Sequence, residues 1–121
     1  MSTRYIQGVG ELLERKDFWE GELSRLDGGT LSIDSKTISS EQEARARWIC
    51  ENWPAVLSDC RKFIEAKREK YGLRAKQFDD PGVFMREGDE WTVWFGTESE
   101  SEAIVGVEFR GDKPFQLVIG D

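Results

Sequence analysis

The chain has 121 residues, 38% hydrophobic and 34% charged, with net charge −7 and no histidine. That length fits one domain, residues 1–121, large enough for a core without staples, and five Trp and seven Phe exclude a disordered chain. Missing imidazole excludes Ser–His and Cys–His catalytic triads, while the acidic balance argues against nucleic-acid and anionic-membrane partners.

Charge is unevenly distributed. Residues 79–121 hold eleven acids against three bases (Arg86, Arg110, Lys113), whereas residues 41–78 hold nine bases against six acids. The first fifteen residues lack the apolar run of a secretory leader. No stretch approaches the ~20 apolar residues of a membrane span, so the expected address is the cytoplasm, with no membrane partner.

Taken in chain order, a weak strand is expected over Tyr5–Val9, weakened by Gly8 and Gly10. Residues 16–34 read as a β-hairpin: Phe18, Trp19, Leu23 and Leu26 lead into Asp27-Gly28-Gly29, and Thr30–Asp34 alternates with period two. Ser40-Glu41-Gln42-Glu43 reads as a capping box with Ser40 at the N-cap. Pro54 lacks an N–H, so the helix that starts there either kinks or stops near Glu51 and restarts after Asn52. Beyond it, Trp53, Leu57, Cys60, Ile64 and Tyr71 form one apolar stripe, ended by Gly72. The remainder reads as a four-strand meander. Asp80-Pro81-Gly82 is a turn, Val83–Glu87 a strand, Gly88-Asp89 a two-residue hairpin turn and Trp91–Phe95 a strand. Thr97–Glu102 follows as an acidic loop, then strands Ala103–Phe109 and Phe115–Ile119 joined at Gly111-Asp112. The fold class is α+β: a mostly antiparallel sheet, from an N-terminal hairpin and a C-terminal meander, packed on a central Pro-interrupted helical segment.

Parity sorts the meander into two faces. Trp91, Val93, Phe95, Ala103, Val105, Val107, Phe109, Phe115, Leu117 and Ile119 share one, which must be core. Thr92, Trp94, Ile104, Gly106, Glu108, Gln116 and Val118 share the other, which is mixed. There Trp94 is placed to lie over the bare backbone of Gly106. Either the N-terminal hairpin or a loop covers this patch, or a partner does.

Chemistry has few candidates. If Cys50 and Cys60 share one helix they stand ~15 Å apart, beyond disulfide reach, and without His they imply no metal site. Carboxylate pairs such as Asp79/Asp80 and Asp89/Glu90 lie in expected turns, where acids are solvated. No cofactor-binding glycine loop is present, because Gly8-Val9-Gly10 lacks the third glycine. Arg110-Gly111-Asp112 is a hairpin turn. Basic residues 61–76 are interleaved with Asp59, Glu65 and Glu69, as on a solvated helix face rather than a nucleic-acid track. The acid-serine run Glu98, Glu100, Glu102 presents alternating acceptors that mimic a phosphate track or suit a basic protein, or else is a solvated loop that keeps a sheet edge soluble.

Val9-Gly10-Glu11-Leu12, Trp19-Glu20-Gly21, Leu31-Ser32-Ile33, Asn52-Trp53-Pro54 and Gly106-Val107-Glu108-Phe109, with the closing Gly120-Asp121, carry a resemblance. The set, spread over most of the chain, resembles small bacterial domains of unknown function, several thought to be immunity proteins of polymorphic or contact-dependent toxin systems. The resemblance implies an α+β cytoplasmic protein that binds a cognate toxin, and it implies no catalytic residues. The expected function is therefore a non-enzymatic, acidic immunity protein occluding a basic toxin surface. Glu98, Glu100 and Glu102 would supply the charge and Trp94 or Trp48 the apolar anchor. A small carboxylate- or metal-dependent hydrolase and a ligand- or peptide-binding regulatory module are the alternatives.

Overall fold

The computed structural model of the protein describes residues 2–120, so Asp121 lies outside it. Near the N-terminus the chain reverses where one strand was expected. Strands β1 (Thr3–Ile6) and β2 (Gly10–Glu14) flank a turn in which the Val9 N–H donates to the Ile6 carbonyl at 2.9 Å. Gly8 at φ +83° and Gly10 at φ +134° adopt backbone that L side chains resist, and this is what splits Tyr5–Val9.

Strand β3 (Trp19–Leu23) passes through a single 3-10 turn at Ser24–Leu26 and returns as β4 (Gly29–Ile33). Helix α1 (Ser40–Glu51) and helix α2 (Trp53–Tyr71) follow, with Asn52 between them and Pro54 in the first turn of α2. An N–H is not needed at that position. The cap of α1 is Ser39, one residue earlier than expected. Ser39 Oγ accepts from the Gln42 N–H at 3.1 Å, and Gln42 Oε1 accepts from the Ser39 N–H at 2.9 Å. Gln42 is buried beside the cap, whereas the half-buried Glu43 is engaged by Arg4, so the box closes on Gln42.

The C-terminal strands are β5 (Phe78–Met85), β6 (Glu90–Thr97), β7 (Ile104–Arg110) and β8 (Lys113–Gly120). Two turn assignments change. Asp80-Pro81-Gly82 is a bulge inside β5, where pairing jumps from Asp79↔Gly96 to Gly82↔Trp94 and Asp80 takes φ +52°. The β5–β6 connection spans residues 86–89, because Met85 already pairs with Trp91.

The eight strands of the described residues form one sheet in sequence order. Among the described residues every junction is antiparallel except β4–β5, where Leu31 pairs in parallel with Val83. Antiparallel neighbours need only a hairpin, but a parallel pair needs a crossover, and the two helices supply it. The architecture is α+β with a mostly antiparallel sheet. Ala46, Ile49, Trp53, Val56, Cys60 and Ile64 of the helices meet Leu31, Ile33, Val93, Phe95, Val107 and Phe109 of the sheet in one core. Each Val, Leu, Ile or Phe among them contributes about 1.5–3 kcal/mol when fully buried.

The opposite face of the sheet has no element layered on it among the described residues. The N-terminal strands extend the sheet sideways instead of folding across it. On that face the Trp94 ring lies against Gly106: a Cβ built there would meet Trp94 Cε3 and Cζ3 at 2.8 Å and Thr92 Cγ2 at 2.9 Å. Gly106→Ala is therefore expected to lower stability by about 1–3 kcal/mol in urea unfolding. Adding Trp94→Ala should recover part of that loss, and strict additivity of the two would contradict the contact.

Candidate functional site

The acidic run of the β6–β7 loop is held by its own hydroxyls. Ser99 N–H donates to Thr97 Oγ1 at 3.1 Å, and Glu102 N–H donates to Ser99 Oγ at 3.2 Å. This turn aims two of the three carboxylates back at the protein. The Glu102 carboxylate accepts from the N–H groups of Arg74 (2.9 Å) and Ala75 (2.8 Å). Glu98 accepts from Lys76 (3.0 Å) and Gln77 (3.1 Å). Four successive amides of the α2–β5 linker are thus satisfied by side chains, in a segment with no helix or strand of its own.

The opposite polarity is met by Arg68 of α2. Its guanidinium donates to the carbonyls of Leu73 (3.3 Å) and Ala75 (3.1 Å) and pairs with Glu65 at 2.9 Å. Hydrogen bonds from the Gln77 and Lys76 N–H groups hold the Glu98 carboxyl below the usual carboxylate range. Of the run expected to meet a basic partner, Glu98 and Glu102 bond the protein's own backbone, Glu98 while solvent-exposed, and Glu100 alone of the three has no intramolecular bond among the described residues.

The two Trp candidates do not come together. Trp48 is half-buried on α1, edge-on to Trp91 with centroids 6.3 Å apart and the Arg45 guanidinium 5.2 Å from its ring. Trp91 faces the helices, so Trp48 lies on the helix side and Trp94 on the bare side of β6.

Around Trp94 the strand registers build two rows across the bare face. One runs Glu22, Thr30, Gly82, Trp94, Gly106, Val118. The other runs Glu20, Ser32, Phe84, Thr92, Glu108, Gln116. Aromatic Phe84 and Trp94 thus occupy the middle, and acids Glu20, Glu22 and Glu108 occupy the flanks. Arg86 stands over the Phe84 ring at 5.3 Å, and Glu108, only 8% exposed, accepts from the Gln116 amide. Ile104 adds an apolar side chain 43% exposed. Sequence reasoning found Trp94, Ile104 and Glu108 through meander parity. It did not extend the face to Phe84, Glu20 and Glu22, although Trp19-Glu20-Gly21-Glu22-Leu23 alternates and so carried the signal.

No group of three or more Cys, Asp or Glu is placed to hold a metal ion among the described residues. Burial pushes the Cys50 thiol up to about 11 and raises Cys60 further, so both stay protonated inside the core. Among the described residues no helix is long and apolar enough to cross a membrane. No family model, curated protein or solved structure matches the chain.

Because the folded state lowers the affinity of Glu98 for a proton, its contribution is complete above the ordinary carboxylate value of about 4.3. It is lost as pH falls through the lower folded-state value. Glu98→Gln should therefore have a lower urea midpoint than wild type at pH 7, with the gap closing in acid. A gap independent of pH would contradict the clamp.

Proposed function

We propose that this protein is a non-enzymatic binding domain of the cytoplasm that docks a basic partner protein on the bare face of its sheet. The observation that carries this is the arrangement of that face: an aromatic centre at Phe84 and Trp94, with Glu20 and Glu22 at its rim. Interfaces commonly place aromatic anchors at the middle of a patch and polar groups at its rim. Acids on the rim favour a basic partner and speed its encounter. The resemblance to immunity domains supplies the partner class, a toxin domain whose functional surface is basic, neutralised by occlusion. Trp94 is the anchor in this reading, in place of Trp48.

The test is co-expression with the product of the neighbouring reading frame, followed by calorimetry on the purified pair. Trp94→Ala is expected to weaken the complex by about 2 kcal/mol or more, roughly thirtyfold. Trp48→Ala, on the helix side, should change affinity less than about threefold. Equal losses at the two positions, or none at Trp94, would reject the face.

A further inference from the structure

Strands β2 and β3 pair only at Leu13↔Glu20 and Glu14↔Trp19. Past that point β3 crosses close to β2. A Cβ on Gly21 would stand 2.5 Å from the Glu11 carbonyl oxygen, so only glycine permits the approach. Beside it opens a hollow of about 400 Å³ lined by Leu13, Arg15, Glu20, Gly21, Glu22 and Thr30.

Its charges are not balanced in place. The Arg15 guanidinium is bound to Glu20 at 2.7 Å, which leaves the exposed Glu22 carboxylate with no ion pair among the described residues. Thr30 stands directly across from Glu22 and brings a hydroxyl acceptor to the same side. Leu13, half-buried, provides an apolar wall. A long side chain with an aliphatic stem and a cationic head matches all three features, with the stem along Leu13 and the head on Glu22 and Thr30.

We infer that this hollow is a socket for one arginine or lysine side chain of the partner protein. The inference rests on the reading of the face as a docking surface for a basic protein. Glu22 and Trp94 share a row three strand spacings long, so the partner's basic residue and its apolar contact to Trp94 sit about 14 Å apart.

The probe is N-acetyl-arginine amide, titrated into the full ¹⁵N-labelled chain at low salt, with the neutral isostere N-acetyl-citrulline amide as its control. The arginine probe should shift the amides of Leu13, Glu22 and Thr30, and citrulline should not. In Glu22→Gln, an exposed substitution, the apparent Kd should rise about tenfold. Equal response to citrulline, or an unchanged Kd in Glu22→Gln, overturns the socket. Arginine-dependent shifts confined to Phe84, Trp94 and Glu108 also overturn it, while leaving the basic-partner reading intact. Shifts confined to residues off the bare face overturn the socket and remove support from that reading as well.

Discussion

The parallel pairing of β4 with β5 is the constraint on which the rest of the structure depends. Every other strand junction is made by a short connection between antiparallel neighbours. This one closes over the two helices, from Ile33 to Phe78, and must bear the loop-closure entropy of that separation. It also decides where the helices go, because both must cross on the same side of the sheet to return the chain beside β4. One face is thereby buried under Trp53, Val56, Cys60 and Ile64, and the other is left without a layer.

The return strand is positioned by charge as much as by packing. Between Gly72 and Phe78 the chain has no ladder or helix to satisfy its amides, and a buried or half-buried orphan would be costly. Glu98 and Glu102 supply acceptors on one side and Arg68 supplies donors on the other. The acidic excess of the last third is thus divided between two tasks. Part of it holds the crossover in place. Glu108, with Glu20 and Glu22 from β3, lies on the bare face.

Much of the fold was legible because the meander obeys period two and α2 obeys its helical stripe, both imposed by a single core face. Three local features were not. The β1–β2 reversal rests on left-handed glycine backbone at Gly8 and Gly10, which composition alone reads as weakness in a strand. The β5 bulge puts Asp80-Pro81-Gly82 inside a strand because the turn chemistry is absorbed by one skipped pairing. The capping box moved by one residue because Ser39 and Ser40 offer the same hydroxyl, and burial of Gln42 selects between them. For the candidate site, the fate of Glu98 and Glu102 was out of reach for a different reason. A run of acids says nothing about which backbone amides lie 3 Å away, since those amides are more than twenty residues distant in sequence.

The sharpest test of this division of charge is native-state hydrogen exchange at the amides of Arg74, Ala75, Lys76 and Gln77 at neutral pH. These residues belong to no helix or strand, yet the clamp predicts slow exchange at all four, approaching that of the adjoining β5 ladder. Exchange at unstructured-chain rates would contradict it and release Glu98 and Glu102 from the linker.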